Sequence, residues 1–274
     1  MTSPQPNDAA PPDPVLTNPP ILDRFRLDGR VALVTGAGQG IGRAFAHALG
    51  EAGAVVAIAD LDGDKAAAVA AELTAKGITS TALTTDVTDP DAVDAMVTTV
   101  VSRLGRLDIA VNNAGINFNS AAEDTTLEVW DQTFNVNTRA VFVCCQAEAK
   151  VMIPQGSGCI INTASMASLL VPHPQKQAAY NVSKAAVAHL TRSLATEWAE
   201  YGIRVNAISP GIVRTPLIES EALAPLKDIW LEQIPTRRLA EVTDLQGVIV
   251  FLASDVSAYM IGQNIAIEGG HTLW

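Results

Sequence analysis

Cysteine and histidine are scarce in this 274-residue chain, and their spacing excludes two kinds of site. An odd number of cysteines without a Cys-x-x-Cys pair provides no disulfide framework, because a framework needs paired cysteines. No two histidines stand at the spacing of zinc ligands, so the sequence predicts no metal site. The residues concerned are Cys144, Cys145 and Cys159, with His47, His173, His189 and His271. This cysteine usage is typical of a reducing compartment, and we expect a cytoplasmic protein.

Basic residues and long apolar runs are also lacking. The chain has 18 lysines and arginines against 29 aspartates and glutamates, a formal net charge of −11. This balance argues against nucleic acid or an anionic membrane as the main partner. Every apolar run is interrupted before it could span a bilayer. With 48% hydrophobic residues, one α/β domain with a large core is sufficient to explain the length.

The first 24 residues differ in composition from the rest. Seven prolines and no lysine or arginine precede Arg24, whereas a signal peptide needs a basic start and an apolar stretch. We therefore predict a disordered, Pro-rich tail at residues 1–24, with a partner-binding arm as the alternative. Residues 25–274 then form the single folded domain.

From Phe25 onward, short apolar segments alternate with breaker-free segments of helical composition. Continuously apolar strands are typical of a parallel sheet that is buried on both faces. Repeated βα units build such a sheet with helices on both sides, and ligands bind beyond the carboxyl ends of its strands. The predicted strands are Arg30–Thr35, Ala54–Asp60, Ser80–Thr85, Leu107–Val111, Cys159–Thr163, Arg204–Ser209 and Asn264–Glu268. The predicted helices are 43–53, 65–76, 89–104, 125–151, the segment around Tyr180, and 242–253.

A glycine-rich loop, Gly36–Gly42, lies between the first strand and the first helix. Glycines in this position let the backbone turn tightly and approach a pyrophosphate, which then sits at the helix N-terminus. Asp60 ends the next strand about 20 residues later, the context that a dinucleotide site requires.

Asp60 also predicts the type of dinucleotide. Its carboxylate can accept hydrogen bonds from both adenosine ribose hydroxyls, and it would repel a 2′-phosphate. The positions that could supply a compensating arginine hold Gln39 and Leu61, and Arg43 is expected to lie along its helix. The sequence therefore predicts NAD rather than NADP.

A second pattern places Tyr180 and Lys184 one helical turn apart in an Ala-rich segment. A free tyrosine titrates near ~10, and an adjacent cation lowers that pKa by favouring the phenolate. Taken alone, the pair equally fits a solvated helix face beside a half-buried ring. Its meaning therefore depends on the rest of the chain.

Seven motifs in order give the chain a resemblance to the short-chain dehydrogenase/reductase family, over essentially all of residues 25–274. They are Thr35–Gly42, Asp86-Val87, Asn112–Gly115, Asn135-Val-Asn137, Ser165, Tyr180-x-x-x-Lys184, and Pro210-Gly211 followed by Thr215. The resemblance implies a Rossmann-type, doubly wound parallel sheet of about seven strands. It also implies nicotinamide cofactor binding and a homotetramer or dimer, of which we expect the homotetramer.

The resemblance also implies roles for individual residues. Tyr180 is the expected acid/base, and Lys184 lowers its pKa and holds the nicotinamide ribose. Ser165 is expected to bond the reacting oxygen, and Asn137 to hold a water that links Lys184 to solvent. The expected cofactor-binding residues, besides Tyr180 and Lys184, are Gly36, Gln39, Gly40, Ile41, Gly42, Asp60, Leu61, Asp86, Val87, Asn113, Ala114, Gly115, Pro210, Gly211, Val213 and Thr215.

The segment between Ser165 and Tyr180 is two residues longer than is common in the family. That length, its Pro-Gln pair and the ending Gly269-Gly-His-Thr-Leu-Trp274 resemble the branch that oxidises sugar alcohols, such as threitol, arabinitol, mannitol or galactitol, to ketoses. Pro172 departs from that branch, where a polar residue is frequent, which leaves the individual polyol open. Expected substrate contacts are Asn117, Ser165, Gln175 and Tyr180.

Polar side chains at the expected mouth of the pocket suit a hydroxyl-rich substrate, because buried polar groups discriminate strongly for matching hydroxyls. They are Asn117, Asn119, His173, Gln175 and Gln177. Ordinary solvated loop residues are the alternative interpretation.

Residues 212–235 contain Trp230 and no clear strand, and we expect a lid over the substrate, with a docked helical pair as the alternative. Trp274 is either a simple tail or a contact to a neighbouring subunit. Two other functions remain open at this point: a reductase of a 3-oxoacyl thioester or another ketone, and a catalytically silent NAD-binding regulator.

Overall fold

The computed structural model describes residues 13–221 and 223–273. Within them, seven parallel strands form one sheet in the order β3-β2-β1-β4-β5-β6-β7. The strands are β1 Val31–Thr35, β2 Val55–Asp60, β3 Ser80–Thr84, β4 Ile109–Asn112, β5 Gly158–Thr163, β6 Ile203–Pro210 and β7 Asn264–Ile267. The predicted doubly wound α/β fold is therefore confirmed, and each predicted strand is present with ends shifted by one or two residues.

Helices cover both faces of the sheet. The α-helices are α1 Pro14–Thr17, α2 Gly40–Glu51, α3 Gly63–Ala75, α4 Pro90–Leu104, α5 Leu127–Phe134, α6 Ala140–Gln155, α7 Ala178–Trp198, α8 Lys227–Gln233 and α9 Gln246–Ala253. Strand residues alternate between two apolar cores, because successive side chains point to opposite faces. Val34 packs with α2, α3 and α9, whereas Leu33 packs with α4, α6 and α7.

The order of the strands places a crevice beside β1. The chain moves from β1 outward to β2 and β3, and then returns so that β4 pairs with the other edge of β1. At such a reversal the connections on the two sides leave in opposite directions, which opens a space beyond the carboxyl ends of the strands. The loops after β1, β2, β4 and β5 all meet there.

The predicted long helix 125–151 is wrong in one respect, because it is not continuous. Helix α5 ends at Phe134, a single π-helical turn covers Asn135–Arg139, and α6 follows. The turn closes with a hydrogen bond from the Ala140 amide to the Asn135 carbonyl, five residues back. One extra residue in a turn changes the direction in which its side chains point, and such turns are frequent at functional sites.

Two predicted segments lie partly outside the described residues. Of the expected tail at 1–24, residues 1–12 are outside, and the remainder holds α1 and a 3-10 turn at Asp23–Phe25 with largely exposed side chains. Ala222 and Trp274 are also outside. In the described part of the chain, none of the helices is long and apolar enough to cross a membrane.

Candidate active site

The glycine loop after β1 forms a tight turn onto the N-terminus of α2. A Cβ atom on Gly42 would collide with the Gly36 carbonyl oxygen, and one on Gly36 would lie 2.8 Å from the Ala114 Cα. Only glycine permits this close approach of the two loops. Gln39 precedes α2 without a side-chain capping bond, so the first amide groups of the helix keep their hydrogen-bonding capacity for an anion.

Asp60 lies at the end of β2 beside this loop. One carboxylate oxygen accepts the Gly38 amide at 2.8 Å, and the other accepts the Asp62 amide at 3.0 Å. These two bonds fix the carboxylate against the glycine loop, where the ribose of a dinucleotide would lie.

Two basic side chains near Asp60 are already paired. Arg43 on α2 donates from Nε to the Glu72 carboxylate on the neighbouring helix α3 at 2.7 Å. Lys65, which sequence reasoning missed, stands beside the loop, since a Cβ on Gly38 would lie 2.7 Å from the Lys65 Cβ. Its ammonium lies 3.2 Å from an Asp62 carboxylate oxygen. Both cations are therefore engaged with carboxylates.

The segment after β4 ties two strand ends together. The Asn113 amide nitrogen Nδ2 donates to the Thr35 and Gly36 carbonyls at 3.2 and 3.1 Å. The backbone amides of Asn113 and Ala114 donate to the Thr35 hydroxyl at 3.1 and 3.3 Å. The Asn113 side chain thus joins the segment after β4 to the end of β1. It is used for these bonds within the protein, so we expect the neighbouring backbone to contact a cofactor.

The remaining expected cofactor residues stand after the carboxyl ends of strands or at the start of α2, and their contacts with a cofactor stay a prediction. Asp86 follows β3 and accepts the Thr88 amide at 2.9 Å, and Val87 is half-buried beside it. Val213 is buried, and the Thr215 methyl lies 3.5 Å from where a Cβ on Gly40 would be. Gln39 and Leu61 have exposed side chains at the edge. An uncapped helix start, a fixed carboxylate and loops that only glycine can form together fit a nicotinamide dinucleotide.

Tyr180 and Lys184 lie on α7, as the sequence predicts, and Lys184 is buried. The Lys184 ammonium donates to the Thr163 carbonyl at 2.8 Å and lies 5.8 Å from the centre of the Tyr180 ring. Burial lowers the pKa of Lys184 to about 8, because a charged form is costly away from water. The ammonium is thus held at the end of β5, next to the phenol.

The chain by itself does not lower the pKa of Tyr180, and the lowering of that pKa by Lys184 together with a cofactor cation stays a prediction. Burial raises the pKa of Tyr180, and its hydrogen bond with the Ser165 side chain offsets part of that rise. Lys184 is directed to the Thr163 carbonyl rather than to the phenol, which explains why it does not reverse the direction. Ionisation of Tyr180 at neutral pH therefore requires a further positive charge nearby. A cationic nicotinamide ring is such a charge.

Ser165 is oriented by the end of β5. Its hydroxyl oxygen accepts the Ala167 amide at 3.1 Å, where it caps the 3-10 turn Met166–Ser168. The same side chain bonds Tyr180, so the serine and tyrosine oxygens meet at one place.

Asn137 lies in the π-helical turn and is fully buried. Its Oδ1 accepts the Ile116 amide at 2.8 Å, and its Nδ2 donates to the Ile116 carbonyl at 2.8 Å and to the Ser183 hydroxyl at 3.1 Å. Both amide hydrogens are therefore committed to the protein. A Cβ on Gly115 would lie 3.2 Å from Asn137 Oδ1 and 3.4 Å from Lys184 Nζ, so these groups surround one small space. The expected water link to Lys184 stays a prediction.

A cavity of about 190 Å³ brings together three of the expected catalytic residues, Ser165, Tyr180 and Lys184, whereas the fourth, Asn137, does not line it. Its walls come from the ends of β4, β5 and β6, from α7 and from the segment after β6. Those relevant to substrate are Asn117, Ser165, Tyr180, Lys184 and Leu217.

Gln175, an expected substrate contact, is not among the residues that line this cavity. Its side-chain oxygen accepts the Trp230 indole N–H at 2.9 Å, so it attaches the Ser165–Tyr180 segment to α8 instead. The reason is that Trp230 is 1% exposed and needs a partner for its indole N–H. Trp230 packs with Met166, Ile234 and Leu239. The segment 212–235 is docked on the protein here, and its mobility as a lid stays a prediction.

A buried polar cluster behind the crevice was missed in the sequence. Asn112 donates from Nδ2 to the Glu148 carboxyl at 3.0 Å and to the Asn162 side-chain oxygen at 3.1 Å. Glu148 on α6 is 0% exposed, and burial raises its pKa to about 8. No clear signal for this cluster was present in the sequence, because α6 also carries Gln146 and Lys150 and an acidic residue among them is typical of a solvated helix face. Across the described residues, no group of histidine, cysteine and carboxylate side chains is arranged to hold a metal ion.

Comparison with known proteins agrees with this geometry. A family model described as Enoyl-(Acyl carrier protein) reductase matches residues 36–272. The chain is 40% identical over 249 residues to a D-threitol dehydrogenase of Mycolicibacterium smegmatis, covering 91% of this chain and 95% of that protein. It is 41% identical over 256 residues to a galactitol 2-dehydrogenase of Rhizobium johnstonii, covering 92% and 98%.

Another similar protein has a different named activity. A 3-oxoacyl-(acyl-carrier-protein) reductase of Staphylococcus aureus is 42% identical over 241 residues, covering 87% of this chain and 96% of that one. Among solved structures, a short-chain type dehydrogenase/reductase from Mycobacterium marinum superimposes with a TM-score of 0.90 at 43% identity, covering 92% and 99%.

Proposed function

The chain belongs to the short-chain dehydrogenase/reductase family, whose members bind a nicotinamide dinucleotide, and from this premise we propose that it is an NAD-dependent dehydrogenase of small sugar alcohols. It oxidises a secondary hydroxyl of a four- to six-carbon polyol to the ketose. The observation that carries the proposal is the cavity of about 190 Å³ in which Ser165, Tyr180 and Asn117 meet. The polar side chains in this part of the cavity suit a substrate that carries several hydroxyl groups.

The residues of the cavity have distinct tasks in such a reaction. The bound dinucleotide supplies a nicotinamide ring that accepts the carbinol hydride. The Tyr180 oxygen takes the proton of the substrate hydroxyl, and the Ser165 hydroxyl donates a hydrogen bond to the same substrate oxygen. Lys184 adds a positive charge beside the phenol, fixed by its bond to the Thr163 carbonyl. Asn137 keeps the Ile116 backbone and Ser183 in place around them.

Selectivity for NAD over NADP is supported by the charges around Asp60. A 2′-phosphate at the ribose would meet the Asp60 carboxylate, which two backbone amides hold in position. Arg43 is paired with Glu72 and Lys65 with Asp62, so neither cation is available to offset that repulsion without giving up its partner.

A second candidate function is the reduction of a 3-oxoacyl thioester, which the similarity to the Staphylococcus aureus reductase favours. The carboxylate of Asp60 weighs against it, because NADPH is the usual cofactor of that reaction. A silent NAD-binding regulator is disfavoured, because Ser165, Tyr180 and Lys184 are all in place.

The three candidate functions can be distinguished by measuring the absorbance of the reduced cofactor during the reaction. The purified protein is mixed with NAD or NADP and a panel of polyols, including threitol, arabinitol, mannitol and galactitol. In the reverse direction it is given NADPH or NADH and an acetoacetyl thioester. Polyol oxidation with NAD supports the proposal, thioester reduction with NADPH alone supports the second candidate, and NAD binding without turnover of any substrate points to the regulator.

We further propose a cytoplasmic homotetramer. The three cysteines are free and buried, which suits a reducing compartment. A shallow surface hollow beside the π-helical turn is lined by Phe134, Phe142 and Leu190, and Phe142 is 42% exposed. Phe134 and Leu190 are half-buried, and an exposed apolar side chain beside them is a contact that a neighbouring subunit could cover. Sedimentation equilibrium gives the number of subunits, and a monomer or a dimer would contradict the homotetramer.

A further inference from the structure

The backbone of Ser165 is attached to polar side chains that come from the far edge of the sheet. Its carbonyl oxygen accepts the Ser168 hydroxyl at 2.7 Å and the Ser168 amide at 2.9 Å, across the 3-10 turn Met166–Ser168. The Ser168 hydroxyl oxygen in turn accepts Asn264 Nδ2 at 3.1 Å. Asn264 begins the edge strand β7 and lies 96 residues further along the chain. The turn that carries Ser165 is thus tied to β7.

Asn264 is itself held by β6. Its Oδ1 accepts the hydroxyl of Ser209, which is 0% exposed, at 2.7 Å. The Ser168 and Ser209 oxygens lie 3.1 Å apart, so Ser168, Ser209 and Asn264 form one compact group. Ser209 gives its hydroxyl hydrogen to Asn264, and Ser168 gives its own to the Ser165 carbonyl. Because each hydroxyl hydrogen has an acceptor, turning any one of these side chains would leave a polar group unsatisfied, which costs free energy.

The Ser165 hydroxyl extends from the same turn into the cavity. Its oxygen accepts the Ala167 amide at 3.1 Å, and its side chain bonds Tyr180. Ser168 and Asn264 do not line the cavity that holds Ser165 and Tyr180. We therefore expect any effect of these two residues on the reaction to pass through the turn.

We propose that Ser168, held in place by Asn264, is the positioning residue that keeps the Ser165 hydroxyl directed at Tyr180 and at the reacting oxygen of the substrate. This inference rests on the proposed function and deepens it, because it assigns how the hydrogen-bond donor of the reaction is oriented. A displacement of about 1 Å at a catalytic group lowers a rate by up to about 100-fold. The orientation of Ser165 therefore has a measurable effect on turnover.

A double-mutant cycle tests whether Ser168 acts through Ser165. With NAD and the best polyol of the panel, Ser168→Ala should lower kcat by about 10-fold and change KM by less than about threefold. Ser165→Ala should lower kcat by about 10²–10³-fold, because the donor itself is lost. When Ser165 is already alanine, adding Ser168→Ala should lower kcat by less than about twofold, because the hydroxyl that it positions is gone. A general structural loss would lower kcat about 10-fold in both backgrounds.

Titration of the Tyr180 phenol tests the same contact without turnover. The hydrogen bond with Ser165 lowers the pKa of Tyr180, against the rise that burial causes, and the Lys184 ammonium lies 5.8 Å from the ring centre. Tyrosinate absorbance is recorded against pH with NAD bound and no substrate. The same titration of Tyr180→Phe is subtracted to remove the other two tyrosines. In Ser168→Ala and in Ser165→Ala we expect the midpoint to rise by about 0.5 pH unit or more, because the phenolate loses a donor.

Three further variants serve as controls and as a second route. Ser168→Thr keeps the hydroxyl and should restore kcat to within about threefold of the unmodified protein. Ser193→Ala removes a hydroxyl that donates to a backbone carbonyl on the exposed side of α7, and it should change neither kcat nor the titration. If Ser168→Ala does not fold, Asn264→Leu removes the donor to Ser168 at similar volume. It should lower kcat in the presence of Ser165 but not in the Ser165→Ala background. Circular dichroism reports whether each variant is folded.

The outcomes separate this inference from the proposed function. If the unmodified protein oxidises no polyol with NAD, the proposed function is overturned, and the Tyr180 titration alone decides the role of Ser168. If Ser168→Ala leaves kcat unchanged, or lowers it equally with and without the Ser165 hydroxyl, Ser168 does not position Ser165. The same conclusion follows if the Tyr180 midpoint rises in Ser165→Ala but not in Ser168→Ala, or if Ser168→Thr is as slow as Ser168→Ala.

Discussion

Replacing Glu148 by glutamine should change how the stability of the protein depends on pH. Glu148 is 0% exposed on α6, and its carboxyl accepts one hydrogen bond, from Asn112, at 3.0 Å. Burial raises the pKa of Glu148 to about 8 from an ordinary value of 4.5. Glutamine has nearly the same shape and can still accept from Asn112, but it never ionises.

The direction of this pH dependence follows from the number of protons that Glu148 binds in the folded and in the unfolded protein. Between pH 4.5 and about 8 the folded protein keeps Glu148 protonated, whereas the unfolded chain has released that proton. The contribution of Glu148 to the free energy of unfolding is therefore highest at low pH and falls as pH rises through this window. At about 1.4 kcal/mol per pH unit, the loss between pH 5 and 8 comes to roughly 3–4 kcal/mol. Glu148→Gln should not show this loss.

Urea unfolding at fixed protein concentration, at intervals between pH 5 and 8, measures the effect. The difference in free energy of unfolding between Glu148→Gln and the unmodified protein should grow in favour of the variant as pH rises. Glu197→Gln, on the exposed side of α7, controls for the loss of one carboxylate. A difference that stays constant within about 0.5 kcal/mol over this range would show that Glu148 titrates as an ordinary carboxyl.

Three shorter predictions concern the site. Tyr180→Phe should lower kcat by about 10²–10⁴-fold while NAD affinity stays within a few-fold, and near-normal turnover would remove Tyr180 as the acid/base. Asp60→Asn keeps an acceptor for the Gly38 amide but removes the charge, so the NADP-to-NAD ratio of kcat/KM should rise about tenfold or more; an unchanged ratio would place cofactor choice elsewhere. Trp230→Phe leaves the Gln175 oxygen without its donor, so urea unfolding should show a loss of about 1 kcal/mol and kinetics a several-fold higher polyol KM. If both quantities stay unchanged, the contact between Trp230 and Gln175 does not hold the segment 212–235.

The parts of the site that could be predicted are those that depend on local pattern. Gly36–Gly42 between a buried strand and a helix, and Asp60 at the next strand end, need only the order of elements to be located. Tyr180 and Lys184 share a face because four residues make about one helical turn. The resemblance to a known family added Ser165 and Asn137, which stand far from this pair in the chain.

The parts that could not be predicted depend on which groups become buried together. Glu148 and Asn112 are 36 residues apart and meet only because β4 and α6 pack against each other. Gln175 and Asn117 looked alike as polar loop residues, yet one bonds Trp230 and the other lines the cavity. The rise that burial causes in the pKa of Tyr180 could not be predicted for the same reason, because the cost of burial is set by the surrounding fold.

The sequence alone determined the seven-stranded parallel sheet, the dinucleotide loop and the acidic residue beside it, since apolar period, glycine position and strand ends are local properties of the chain. Tertiary structure decided the rest. It inserted the π-helical turn that carries Asn137 to the Ile116 backbone, and it placed the Lys184 ammonium on the Thr163 carbonyl. Hydrogen bonds and burial between residues distant in the chain have no counterpart in a local pattern, because they exist only once the elements have packed.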